Sequence, residues 1–252
     1  MIKVDFAPLE GITDSIYRKA HHTYFGGVDR YFMPFLSPTM HNTLTHKEDR
    51  ELPLADSVSF RAVPQILTKV PADFLWAAQV CADRGYEEVN LNIGCPSGTV
   101  VAKGKGAGML ANVDYLDNFF EEIFSKSPIS VSVKTRIGMT DEAEFPRLVD
   151  IFNPYPIKEL IVHPRIRTAF YKGDVDMEAF RYCVEVSKNP VRYNGDILSR
   201  ITNDVDTIGQ SLNQSVGTLI NAICLFLGSL ITLCKRYSSN VITSEAIIGI
   251  PK

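Results

Sequence analysis

Hydrophobic positions along the chain follow two alternating rhythms. Short apolar, β-branched runs recur over the first 197 residues: "IKVDFAP" near residue 2, "RYFMPF" near 30, "AVPQIL" near 62, "EEVNLNI" near 87, "ISVSVKT" near 129, "ELIVHP" near 159 and "PVRYNG" near 190. Most are spaced by about 30 residues, the length of one strand-plus-helix unit. The segments between them carry helical signals. Pro71 suits a first helical position and Gly85 a stop. Leu116, Phe119, Phe120, Ile123 and Phe124 fall on one helical face. Strand alternating with helix predicts an α/β fold with a parallel sheet. Seven such units predict a TIM (β/α)8-type barrel over residues 1–197, incomplete before its eighth strand. A doubly wound open sheet is the alternative, and the lack of G-x-G-x-x-G after the first strand counts against it.

The rhythm changes after Ile197. From Thr207 to Cys234 no residue is charged, and Lys235 and Arg236 follow. That run is long enough to cross a bilayer and is flanked by a basic pair. Residues 198–252 are therefore expected to form a mostly helical apolar tail, with membrane association through 207–234.

Composition adds limits. Hydrophobic residues make up 45% and charged residues 22%, as in folded globular proteins. A formal net charge of −3 supplies no global positive field, so any nucleic-acid contact needs a local patch. The five cysteines, Cys81, Cys95, Cys183, Cys224 and Cys234, form no CxxC pair. No metal site or disulfide framework is expected, and a reduced cytoplasmic setting fits. "MIKVDFAPLEG" has no long apolar stretch and does not read as a secretory signal.

In a barrel, chemistry sits where strands end. Here strand ends carry "APLEG", "NLNIGCPSG", "KTRIG", "VHPR" and "NGD", and Gln65 lies within the third strand. Asn, Gly and Pro at such places are ordinary turn chemistry, and a lone Cys is ordinarily a small buried hydrophobe. Six strands marked in this way on one rim point instead to a site.

"APLEGITD", "PQIL", "NLNIGCPSGTVVAKGKGAG", "VKTRIG", "LIVHPR" and "YNGDI" together resemble the tRNA-dihydrouridine synthases, flavoenzymes built on a TIM barrel. The resemblance covers residues 1 to about 197, with Leu9 where that family usually has Met, a volume-conserving change. It implies FMN as cofactor, NADPH as electron donor and tRNA as partner. It implies reduction of uridine to 5,6-dihydrouridine, with Cys95 as the catalytic proton donor. An ordinary thiol is mostly protonated near neutral pH, which suits an acid. By position the resemblance assigns cofactor binding to Pro8, Leu9, Glu10, Gln65, Asn92, Lys134, His163, Asn194, Gly195 and Asp196. The loop "SGTVVAKGKGAG" is by itself a flexible solvated segment. Within the resemblance it is a mobile flap whose Lys103 and Lys105 meet RNA phosphate, joined by Arg165 and Arg167.

The stretch "GDILSRITNDVDTIGQSLNQSVGTLINAI" resembles part of the membrane domain of ABC exporters, which places a join within Gly195–Ser199. Two other readings follow: a non-catalytic flavin- or RNA-binding remnant, and a membrane-associated interaction protein governed by the tail.

Overall fold

The computed structural model describes residues 3–38 and 41–195. The chain divides into two compact units, Met1–Leu198 and Ser199–Lys252, and the described residues all belong to the first. The apolar run 207–234, Cys224 and Cys234 lie outside the described residues. Among those described, no helix is long and apolar enough to cross a membrane.

Every apolar run read as a strand becomes one. The strands are β1 (Asp5–Phe6), β2 (Arg30–Phe32), β3 (Ala62–Val63), β4 (Gln65–Ile66), β5 (Glu88–Ile93), β6 (Ser130–Arg136), β7 (Leu160–His163) and β8 (Val191–Tyr193). β3 and β4 are two halves of one strand, split at Pro64, which has no N–H to give a ladder. All pairings are parallel, in the orders β1-β2-β3 and β4-β5-β6-β7-β8. A bridge from Leu36 to Ile66 carries the strand-two side onto β4. The main helices between strands are α1 (Ser15–Tyr24), α3 (Pro71–Asp83), α5 (Val113–Lys126), α6 (Phe145–Phe152) and α7 (Met177–Val186), with α2 (His46–Glu51) and α4 (Gly98–Val101) as short turns. Pro71 opens α3 and Gly85, at φ +86°, follows its end, as their residue types require. Asn112 caps α5 by accepting from Tyr115 N–H.

The two faces of the sheet differ. Val89, Leu91 and Ile93 of β5, Val131 and Val133 of β6, and Leu160 and Val162 of β7 pack under helix residues such as Phe74, Leu116, Phe119, Leu148 and Cys183. The alternate positions face inward, and their apolar cluster is only Phe32, Val63 and Ile161. Those three come from β2, β3 and β7, so the sheet curls until distant strands touch. A doubly wound sheet has helices on both faces; here the inner face meets other strands instead.

Below that small apolar layer lies a knot of buried charge. Arg30 donates to Asp5 at 3.0 and 2.5 Å, to Glu88 at 3.4 Å, and also to Glu159. Arg192 pairs with Asp5 at 3.0 Å and Glu159 at 2.9 Å, and Lys158 with Glu88 at 2.9 Å. Arg192 thus joins the last described strand to the first. No backbone ladder does so among the described residues, so the expected incomplete barrel is observed as a curled parallel α/β sheet whose ends meet through side chains.

Candidate active site

Nine of the residues singled out in the sequence, Pro8, Leu9, Glu10, Gln65, Asn92, Cys95, Lys134, His163 and Asn194, line one cavity at the C-terminal ends of the strands. Cys95 stands just past β5. Its turn is held by Asn92, whose Oδ1 accepts from the N–H groups of Gly94 and Cys95, each at 3.0 Å. On its other side the Cys95 carbonyl accepts from Ala107 N–H at 3.0 Å. Gly106 makes that approach feasible: its φ is +57°, and a Cβ there would stand 2.9 Å from the Cys95 oxygen. The Cys95 thiol is half-buried, while Cys81 and Cys183 are buried and burial raises their thiols to about 12 and about 11. Among the described cysteines, Cys95 alone is open to the cavity.

Lys134 sits beside Asn92 in the parallel register of β5 and β6. Its ammonium makes no hydrogen bond or ion pair with any described residue. Burial, then the charge of Arg136, lowers its pKa to about 8 against a small opposing pull from Cys95. His163 is 6% exposed, and burial plus the charges of Arg136, Lys134 and Arg165 lower it to about 3, so it is neutral. Arg165 NH1 lies 3.2 Å from His163 Nε2. A guanidinium only donates, so Nε2 accepts and Nδ1 carries the hydrogen.

Glu10 is the one acid among the described lining residues, and it is tied to Lys47 at 2.6 Å. The described part of the cavity wall, with Lys134 and Arg136 against Glu10, is therefore electropositive although the whole chain is not.

The remaining described candidates stand outside this cavity. The segment 98–111 is folded onto Cys95 as α4 and a 3₁₀ turn, Gly106–Ala111, with Ala107, Met109 and Leu110 buried. Gly106 and Gly108 on it serve close packing: a Cβ at either would stand within 3 Å of a neighbour. Lys103 on it is exposed, and Lys105 reaches Ser37 Oγ at 3.3 Å; neither lines the cavity. Arg165 points inward, donating to the Gly173 carbonyl at 2.7 and 3.1 Å. Arg167 is half-buried, its guanidinium 5.4 Å from the Phe170 ring centre. Gly195 is buried against the Tyr193 ring and does not line the cavity. Asp196 lies outside the described residues.

Arg136 and Tyr171 line the cavity and were not singled out in the sequence. Arg136 donates to the carbonyls of Gly94 at 2.9 Å and Ile166 at 3.0 Å, and its guanidinium lies 5.3 Å from the Tyr171 ring centre. The alternation of "SVSVKTR" puts Arg136 on the same face as Lys134, which was a usable signal. Tyr171 comes from a long loop and gave none.

The donor set fits FMN, the cofactor implied above. Gln65 and Asn92 bring amide hydrogens, Lys134 an unpaired cation and His163 a neutral ring, and the buried Asn194 Oδ1 lacks a partner. A flavin ring, with several carbonyl oxygens and an N–H, would take up both the donors and that acceptor.

The family described as dihydrouridine synthase (Dus) matches residues 5–214. That match runs past the join expected within Gly195–Ser199. A tRNA-dihydrouridine synthase B of Proteus vulgaris is 27% identical over 192 residues, 76% of this chain and 58% of that protein. The one of Vibrio cholerae is 27% identical, covering 76% and 59%. A probable tRNA-dihydrouridine synthase of Rickettsia bellii is 29% identical, covering 76% and 58%. The chain thus spans well under two thirds of the length of these relatives.

Proposed function

The chain belongs to the dihydrouridine synthase family, and on that footing we propose that it carries the site for reducing uridine to 5,6-dihydrouridine in tRNA. The reading rests on one observation: a half-buried thiol, Cys95, shares a cavity with the unpaired cation Lys134. Gln65, Asn92, Lys134, His163 and Asn194 would hold FMN, with Pro8, Leu9 and Glu10 along its edge. When bound, FMN supplies the hydride for C6 of the uracil ring, with NADPH as the source of electrons.

Cys95 holds its proton on Sγ and delivers it to C5, so that hydride and proton together saturate the C5=C6 bond. The Asn92 turn fixes where that proton is presented. Lys134 offsets negative charge that gathers in the cavity during reduction. His163 stays neutral and offers Nδ1–H as a donor. Arg165 acts through His163, holding its ring. Lys103, exposed beside the Cys95 turn, and Lys105 supply positive charge for RNA phosphate. Arg167 belongs to the same rim. A uridine must leave its stack to reach Cys95, and an electropositive mouth favours that entry. The portion 215–252, beyond the family match, has no role in this reading.

The test is direct incubation of the purified chain with FMN, NADPH and unmodified tRNA, followed by nucleoside mass spectrometry. Dihydrouridine should appear in the wild-type reaction and vanish in Cys95→Ala. A chain that binds neither flavin nor tRNA would overturn the proposal.

A further inference from the structure

Under the cavity floor, four side chains form one line of hydrogen bonds. Asn92 Nδ2 donates to Gln65 Oε1 at 2.8 Å, and Gln65 Nε2 to Asn90 Oδ1 at 2.8 Å. Asn90 Nδ2 donates to Ser132 Oγ at 3.0 Å, and Ser132 to the Val89 carbonyl at 3.4 Å. All four residues are at least nine-tenths buried. The line has one permitted direction. The Gly94 and Cys95 N–H groups only donate, so Asn92 must turn Oδ1 to them and Nδ2 to Gln65. Gln65 must then turn its oxygen to Asn92 and its nitrogen to Asn90, and so on down to a backbone carbonyl. Reversing any one amide sets donor against donor at a buried joint.

Gln65 and Asn92 line the cavity, each with a second amide hydrogen to spare; Asn90 and Ser132 do not line it. Register brings the lower pair beneath the upper: Gln65 is beside Asn90, and Asn90 beside Ser132. Buried polar side chains inside a β-sheet curl could simply fill space. A single polarity running from a backbone donor pair to a backbone acceptor is a more specific arrangement.

We propose that Asn90 and Ser132 are positioning residues for the Cys95 turn. Through Gln65 and Asn92 they fix the place of the Cys95 backbone and thiol, and they make the cavity floor present amide N–H groups to its ligand. The inference deepens the role given to Cys95 above, but its test needs no catalytic activity.

The experiment measures the alkylation rate of each cysteine by iodoacetamide in the full chain at pH 8, without added cofactor, by peptide mass mapping. Asn90→Leu removes the acceptor with a side chain of the same branched shape. Cys95 should then react about fivefold faster, the worth of one net buried hydrogen bond. Ser132→Ala, one joint further away, should give about twofold. Asn90→Asp keeps an oxygen toward Gln65 and should leave the Cys95 rate near wild type. Cys183, buried elsewhere on α7, should stay slow in all three. An unchanged Cys95 rate in the Leu and Ala variants overturns the proposal. So does a matched acceleration of Cys183, which would mean that these residues only hold the fold together. If Asn90→Leu does not fold, the Ser132→Ala rates decide alone. Failure of the wild-type chain to make dihydrouridine would defeat the functional reading while these rates still judge the relay.

Discussion

The two ends of the sheet's inner face are both polar, and they are built from alternate residues of the same strands. Glu88 and Asn92 lie four residues apart on β5 and serve opposite purposes. At the lower end each buried acid has a cation and each central cation has acids: Asp5, Glu88 and Glu159 around Arg30 and Arg192. Burial opposes ionisation of Glu159, but hydrogen bonds from Arg192 and Arg30 win and hold its pKa below the ordinary range. At the upper end Lys134 has no described partner, Asn194 Oδ1 has no donor, and Cys95 is left half-open. The lower end satisfies its own groups and closes the curl. The upper end leaves groups for a ligand to satisfy. In the function proposed above, that difference separates stability from function within one strand.

The largest expected effect falls on turnover. Cys95→Ala should cut dihydrouridine formation by about 10²–10⁴-fold, the usual worth of a positioned acid. FMN affinity and the denaturation midpoint should stay near wild type. Parallel loss of flavin binding would make the cysteine a structural element.

Next comes the lower end. Arg30→Met leaves three buried carboxylates sharing fewer cations, and removing one partner of such a pair costs about 3–5 kcal/mol. Urea denaturation measures it. The sign with pH follows from Glu159. Its folded pKa is depressed, so its contribution is present above the unfolded value and fades as pH falls through the folded one. Wild type should lose its advantage over the variant on acidification below about pH 4. An advantage that persists there would mean that Arg30 acts by packing alone.

A smaller effect of opposite sign belongs to Lys134. Its folded pKa is about 8, below its unfolded value, so the unfolded chain binds more protons between the two. Stability of the cofactor-free chain should therefore rise from about pH 8 to 10, by about 1–3 kcal/mol more in wild type than in Lys134→Met. Equal pH slopes would show that Lys134 is not held in a desolvated, unpartnered state.

The smallest expected effect is an absence. His163 titrates at about 3, so the rate between pH 6 and 8 should show no inflection that His163→Gln removes. An inflection near 6.5 that disappears in the variant would contradict the neutral, Arg165-bound ring.

The sequence showed this division only in part. Alternation in "EVNLNI" and "SVSVKTR" marks Asn90, Asn92, Ser132 and Lys134 as one face, and strand spacing marks where that face ends. Local chemistry decides such features, so they survive folding unchanged. Three others depend on what arrives from elsewhere. Arg165 reads as a surface cation until the Gly173 carbonyl, supplied by a turn, draws it inward. The glycines at 104, 106 and 108 read as flexibility, but at Gly106 the missing side chain makes room for Cys95. Tyr171 enters the cavity from a loop whose path no periodicity describes. The closure of the curl was also out of reach, because it runs through Arg192 and Asp5 side chains rather than a strand ladder.

One titration bears on all of this. FMN added to the purified chain should show a protein-bound flavin spectrum that saturates, bleaches with NADPH and weakens at least tenfold in Lys134→Met, as expected when a buried charge-assisted contact is lost. Saturable binding with that loss would establish the upper end as the place where ligand completes the protein's unpaired groups. A spectrum of free flavin at every concentration, or equal affinity in wild type and Lys134→Met, would contradict it.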